Sequence, residues 1–427
     1  MSNVVPMPRI VRPAPEPFGL YFRIGRNDHL EVANAVLSGR AAFSGIVVDA
    51  LNNERHSDLR TTISNRRLEV VLDTHVLELG TPYGFTDRAA ELPWALDVPD
   101  SPELLTEEAV RRRAQLITEF VVENGYSAVL APTHYIECVD SEWLEADAAI
   151  ASEMRDRLDQ AGLRSAGLIY PLTISGALFR DPGALRTIAR GLRDVPLDAI
   201  WLKVNGFGAD ATPSAFLHYL RAAAALELAD APLVADKVGG LVGMGLLAFG
   251  ATGGLAHGLT LGERCDLSGL LRPSDSQPFA PAPRVYVSAL DLLFKRDESR
   301  DLFSARGAIG RLGCRDPQCC PRGVEDSVER PLRHFLNQRI TEIGMQSRVP
   351  PHRRRQRFID TQLRPVADNA AFSERLTLPA HFRIERLSKN RRRLENFLRA
   401  LTQQVASIED AHEPALPLTR VTREARR

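Results

Sequence analysis

The chain has 427 residues, 44% of them hydrophobic and 25% charged, with 54 Lys and Arg balancing 54 Asp and Glu. That length buries a large core and accommodates a big domain plus a smaller one. No run of eighteen apolar residues occurs, which argues against a membrane span, and five cysteines, three of them clustered, do not make a secreted disulfide framework.

The start of the chain, Met1-Ser2-Asn3-Val4-Val5-Pro6, lacks a charged stretch followed by an apolar core and is not read as a signal peptide. The cytoplasm is the expected compartment. Residues 1–17 are proline-rich and read as an irregular arm. A rhythm then begins, in which short apolar or β-branched runs alternate with amphipathic stretches.

The strand-like runs are Leu20–Ile24, Gly45–Asp49, Leu68–Asp73, Ser127–Ala131, Ala166–Tyr170, Ala199–Val204, Pro232–Asp236 and Gly253–His257. Between them Glu107–Asn124, Trp143–Ala161, Pro182–Arg193 and Pro213–Leu228 carry apolar residues at helical spacing. Eight such units predict an α/β fold, a (β/α)8 barrel of the TIM type over residues 18–300. An open doubly wound sheet is the alternative, but no Gly-x-Gly-x-x-Gly follows the first strand. An extra strand, Arg284–Ser288, and a helix, Ala289–Lys295, are expected to close the domain. Residues 301–402 read as a Cys/His segment followed by basic helices, and residues 403–427 as a loosely ordered tail.

In this fold the active site lies at the C-terminal ends of the strands. Position alone therefore nominates Asp49, Asp73, His75, His134, Tyr170, Thr173, Lys203, Asn205, Asp236, Lys237 and His257. Asp73 follows Val70-Val71-Leu72; a carboxylate at the mouth of an apolar strand suits a base or nucleophile. Lys203 and Asn205 alternate and so point the same way, where a lysine serves as a Schiff base, a phosphate ligand or an ion-pair partner of Asp236. Gly239 and Gly240, with Gly253 and Gly254, are candidates for a phosphate cradle, because glycine lets backbone N–H groups approach an anion. His257 is a candidate general base.

Downstream, Cys314, Cys319, Cys320 and His334 form the densest set of soft ligands and are candidates for a structural zinc site. Residues 331–427 carry 20 Lys and Arg against 10 Asp and Glu, while residues 1–330 carry 34 against 44. The clusters are Arg353, Arg354, Arg355 and Arg357, then Lys389, Arg391, Arg392 and Arg393. A basic tail on an acidic body suits a polyanionic partner such as nucleic acid, or a surface that docks on the body itself.

Two stretches together resemble the tRNA-guanine transglycosylase superfamily, including its DNA-modifying relatives. The first is Pro232-Leu233-Val234-Ala235-Asp236-Lys237-Val238-Gly239, running through Gly250 to Gly262-Glu263-Arg264. The second is the cysteine cluster followed by Arg330-Pro331-Leu332-Arg333-His334-Phe335-Leu336 and, further on, His352. The resemblance implies a (β/α)8 barrel with a zinc subdomain that exchanges a guanine for a 7-deazaguanine in tRNA or DNA. It implies Asp73 as nucleophile or base, with Lys203, Asp236 and His257 in the pocket. The chain departs from the family at defined places. Its cysteines read Cys314-x4-Cys319-Cys320 instead of Cys-x-Cys-x-x-Cys. Asp73-Thr74-His75-Val76-Leu77-Glu78 keeps only the aspartate of Asp-Ser-Gly-Gly-Phe-Gln, and His257 stands near the place of the nucleophilic aspartate.

Two other readings follow from those departures. One is a barrel enzyme acting on a small phosphorylated metabolite through Lys203, its basic tail serving packing or a homo-oligomer. The other is a nucleic-acid-binding subunit whose barrel has lost its chemistry.

Overall fold

In the computed structural model, residues 17–40, 42–273 and 282–411 are described. The proposed N-terminal arm and residues 412–427 thus lie almost wholly outside the described residues. Among the described residues nine parallel strands follow in chain order: β1 Gly19–Arg23, β2 Gly45–Asp49, β3 Glu69–Asp73, β4 Ala128–Leu130, β5 Tyr135–Ile136, β6 Gly167–Ile174, β7 Ala199–Val204, β8 Leu233–Asp236 and β9 Gly254–His257. β1 pairs with both β2 and β9, and β4 pairs with β6, so eight strands close into a (β/α)8 barrel. The short β5 adds to the far end of β6, Tyr135 opposite Thr173.

The helices between strands form where the sequence supplies both an apolar stripe and a cap. Thr106 caps Glu107–Asn124 by accepting from the Ala109 N–H, and Gly125 ends that helix at φ +66°. Asp181 and Thr212 do the same for Pro182–Leu192 and Pro213–Leu226, each with proline in the first turn. Each such cap is worth about 1 kcal/mol.

Strand alternation decides what fills the barrel. Tyr21, Val47, Val71, Ala128, Leu130, Ile169, Trp201, Val234 and Ala256 pack together inside it. The opposite face of each strand (Leu20, Phe22, Leu72, Leu168, Tyr170, Leu202 and Leu255 among them) packs against the helices. Two residues beyond Tyr21, Val47, Val71, Trp201 and Val234 come Arg23, Asp49, Asp73, Lys203 and Asp236. The period of two therefore aims five charged side chains into the mouth.

Past the barrel, β10 Val285–Val287 pairs antiparallel with β11 Leu292–Phe294. The helix expected over Ala289–Lys295 does not form. Asp291 adopts the left-handed conformation at φ +49°, which turns the chain back on itself and starts a strand. The remainder is helical, including Pro331–Ser347, Pro351–Phe358, a π turn over Ile359–Leu363, Arg364–Ser373 and Ile384–Ala411. The tail expected to loosen at 403 instead continues that last helix to Ala411. No helix among the described residues is long and apolar enough to cross a membrane.

Candidate functional site

The mouth is organised by Arg23, which the sequence reading passed over. Its Nε and Nη2 donate to the two oxygens of Asp236 at 2.6 and 2.5 Å, and its Nη1 donates to Asp73 Oδ2 at 2.5 Å. Lys203 Nζ lies 3.8 Å from Asp236 Oδ2. Burial works against both carboxylates, but Arg23 and Lys203 outweigh it and hold Asp73 and Asp236 below the usual carboxylate range. The signal for Arg23 was present: it stands two residues after Tyr21, on the inward face of β1.

His75 follows β3 in a left-handed conformation, φ +62°, and Lys237 follows β8 at φ +59°. Side chains avoid this region unless their surroundings enforce it, and such residues concentrate at functional sites. His75 Nδ1 bonds Asp49 Oδ2 at 2.9 Å and lies 3.7 Å from Glu78 Oε2. Burial would lower its pKa, but the Asp49 hydrogen bond and the carboxylates of Glu78, Asp49 and Asp73 lift it to about 9. Glu78, the second residue the sequence reading missed, moves the other way. Burial raises it, the Asp73 charge adds to that, and His75 only partly offsets them.

The segment after β9 folds over this mouth. Cys265 exchanges backbone bonds with Gly206 and Phe207, and Tyr83 N–H donates to Leu270 O at 3.0 Å. Leu77, Cys265 and Leu267 form a small apolar cluster bordered by Tyr135. Asn205 lies where expected, but Oδ1 accepts from Leu267 N at 3.1 Å and Nδ2 faces Tyr135 Oη at 3.5 Å. Its amide thus fastens the covering segment.

Several expected site residues lie elsewhere. His257 is on the outward face of β9, fully buried between Phe22 and Phe335, and Nδ1 bonds Gly258 O at 2.9 Å. Burial and the nearby Arg339 lower its pKa to about 3. Tyr170 also faces outward, into the packing behind β6. His134 is sealed in a separate cluster. Nδ1 bonds Asp147 at 2.6 Å, Nε2 bonds Asp100 at 3.2 Å, and Arg113 holds Asp100 through two bonds.

The glycine cradle is filled by the protein itself. A Cβ on Gly239 would fall 1.8 Å from Glu263 Oε1, and the Gly240 and Leu241 N–H groups donate to Glu263 and Asp291. Arg339 in turn clamps Glu263. Two carboxylates therefore take the helix N-terminus that a phosphate would need. Gly253 and Gly254 lie at the opposite end of the barrel. There Gly19 N–H donates to Gly253 O at 2.9 Å, and a Cβ on Gly254 would come within 2.8 Å of Gly19 O.

The cysteine cluster assembles as expected. Cys319 Sγ and Cys320 Sγ each lie 3.3 Å from His334 Nδ1 and 3.7 Å from one another. The four ligand atoms, Cys314 included, lie within 4.8 Å of one another. His334 Nε2 is 2.9 Å from Tyr286 O on β10, which fixes the proton there and leaves the Nδ1 lone pair to a metal. Gln338 Nε2 approaches the Cys314 and Cys319 sulfurs at 3.5 and 3.7 Å. The cluster can hold a metal ion.

The basic residues divide. Arg354 is buried over Phe18 and Arg355 faces Phe249, both at the N-terminal end of the barrel strands, while Arg353 and Arg357 are exposed. In the second cluster Arg391 pairs with Glu374 and Glu395, and Arg393 binds Ala209 O and Asp291. Lys389 and Arg392 are exposed.

No protein-family model and no curated protein matches the chain. Solved structures do. A type I 3-dehydroquinate dehydratase from Clostridium difficile is 11% identical, TM-score 0.36, over 60% of this chain and 90% of that one. An endo-1,4-beta-xylanase from Penicillium canescens is 14% identical, TM-score 0.36, over 57% and 82%. An HpcH/HpaI aldolase from Desulfitobacterium hafniense is 11% identical, TM-score 0.32, over 60% and 89%. A shared barrel is host to many unrelated reactions.

Proposed function

We propose that this chain is a nucleic-acid-modifying enzyme of the transglycosylase type, exchanging a guanine-like base at the C1′ carbon of its nucleotide's sugar. The observation that carries the reading is the pair Asp73 and Glu78. They are neighbouring carboxyl groups in one half-covered mouth, and their surroundings push their proton affinities in opposite directions. Such a split separates the acid from the nucleophile.

In the proposed reaction an Asp73 oxygen attacks C1′ as the N-glycosidic bond breaks, and Glu78 gives its proton to the departing base. The incoming base then attacks C1′ through its ring nitrogen, releasing Asp73, and returns its proton to Glu78. Arg23 keeps Asp73 ionised and aimed. Lys203 and Asp236 complete the polar floor, and Lys237 and Asp49 border the entrance. The base has to leave its stack to reach this depth, and the backbone needs cationic contacts outside. Exposed Lys389 and Arg392 are suited to that, on the helix whose Arg393 reaches the loop after β7.

Zinc is the metal that best suits the Cys3His cluster. Zn–S bonds of about 2.3 Å in a tetrahedron separate sulfurs by about 3.8 Å, and Cys319 and Cys320 are 3.7 Å apart. Its role here is structural, tying the cysteine loop to the helix of His334, whose other ring nitrogen meets β10.

The test is incorporation of radiolabelled guanine into bulk tRNA and into DNA by the purified chain. Time-dependent label in either polymer supports the reading, and none in both overturns it. The second reading, a Schiff-base enzyme, is favoured by the burial of Lys203 inside the barrel. Borohydride trapping of a carbonyl substrate on Lys203 would establish it.

A further inference from the structure

Helix Pro351–Phe358 spends its arginines unequally. Arg354 stacks on Phe18 at 4.3 Å and donates from Nε to Val349 O, and Arg355 leans on Phe249. Arg353 and Arg357, one turn apart on one face, are exposed, and their guanidinium groups have no ion pair or hydrogen bond among the described residues. With Arg348 they line a cavity of about 500 Å³ that has no acidic residue in its wall among the described residues. Like charges at this spacing repel, and a merely solvated helix face is ordinarily laced with carboxylates.

A second observation points to a ligand. Gln346 lines the same cavity and is fully buried, and Oε1 accepts from Gln362 at 3.2 Å, yet Nε2 has no partner among the described residues. An unmatched buried donor is costly unless an acceptor arrives. The adjoining wall, Thr361 and Gln362, belongs to the π turn Ile359–Leu363, a backbone irregularity that recurs at functional sites.

We infer that this groove, at the end of the barrel opposite the mouth, binds the phosphate of a polyanion, with Arg348, Arg353 and Arg357 pairing its oxygens and Gln346 donating to it. The inference rests on none of the mouth chemistry and stands if base exchange is not found. It also separates the arginines of one basic run into two that bind and two that pack.

The experiment uses the full chain and a fluorescent single-stranded oligonucleotide followed by anisotropy. The variant Arg348→Gln/Arg353→Gln/Arg357→Gln is expected to bind on the order of tenfold more weakly, and the slope of log K against log salt to shrink by about 2. Gln346→Met keeps the volume, drops the amide and is expected to weaken binding severalfold at an unchanged melting temperature. The control Arg186→Gln/Arg190→Gln/Arg193→Gln removes the same charge from another exposed helical surface and is expected to change affinity by less than about twofold. A triple variant that binds like the wild type, or a control that loses as much, overturns the site. Competition then distinguishes the source. Displacement by pyrophosphate identifies a free phosphate ligand, and displacement only by unlabelled oligonucleotide identifies the nucleic-acid backbone.

Discussion

Two clusters of the same residue types sit beyond the strand ends, and they differ in how completely they are satisfied. In Asp100, Arg113, His134 and Asp147 every side chain is at most 2% exposed, and both Asp100 oxygens meet Arg113. In the mouth, Arg23 is shared between two carboxylates, and Asp73 and Asp49 remain 21% and 31% exposed. A sealed, matched network fixes a structure. A network that shares its cation and keeps faces toward solution retains the capacity to bind and to move protons.

The strongest way to break this comparison is Asp73→Asn. It removes the charge without the shape, and base exchange should fall on the order of 10³-fold or more, about 4 kcal/mol in the barrier. Urea unfolding should shift by less than in the sealed cluster, because Arg23 loses its bond to Asp73 but keeps both bonds to Asp236. Full activity in this variant would move the chemistry elsewhere. In the sealed cluster the reverse is expected. Asp100→Ala leaves Arg113 buried without its carboxylate and should cost about 3–5 kcal/mol of stability, with activity per folded molecule unchanged. An Asp100→Ala chain as stable as the wild type would show that the cluster does not hold the fold.

That difference was only half legible in the sequence. The alternation of apolar runs disclosed the barrel because parallel strands covered on both faces and amphipathic helices have distinct periods. It also disclosed Asp73, Lys203 and Asp236, which continue the inward parity of Val71, Trp201 and Val234. The same parity places Arg23 inside and His257 and Tyr170 outside, so position at a strand end does not by itself put a side chain in the mouth. What no local pattern could disclose was long-range pairing. Glu263 and Asp291 cap the glycine helix from 23 and 50 residues away, and Asp147, on the helix Trp143–Gln160, and Asp100, in a loop, claim His134 from opposite directions in the chain. Among the cysteines the spacing looked irregular, yet the turn at Asp316, which accepts from Gln318 N–H and Cys320 N–H, gathers all three sulfurs.

A subtler contrast lies in pH. The folded pKa of His75 is raised to about 9 from an ordinary 6.5. Its pairing with Asp49 therefore contributes fully below pH 6.5, and the contribution is lost as pH rises through about 9. The loss should be on the order of 2–3 kcal/mol, allowing for the solvent that reaches Asp49. Urea midpoints measured across that window should fall in the wild type and stay flatter in His75→Gln. Parallel curves would mean that the Asp49 contact does not form in solution.

The smallest effect is expected where the sequence invited the most chemistry. His257 lies edge-on to Phe22 and Phe335, and its buried Nε2 has no partner among the described residues. A pKa lowered to about 3 keeps the ring neutral throughout the range in which the protein would work. Replacing it by phenylalanine forfeits the Nδ1 bond to Gly258 O, worth about 1 kcal/mol, and relieves an unmatched nitrogen, worth a similar amount. His257→Phe should therefore unfold within about 1 kcal/mol of the wild type and retain its base exchange. A large loss of activity at unchanged stability would return His257 to the mouth and require β9 to present its other face, which would also turn Ala256 out of the barrel interior.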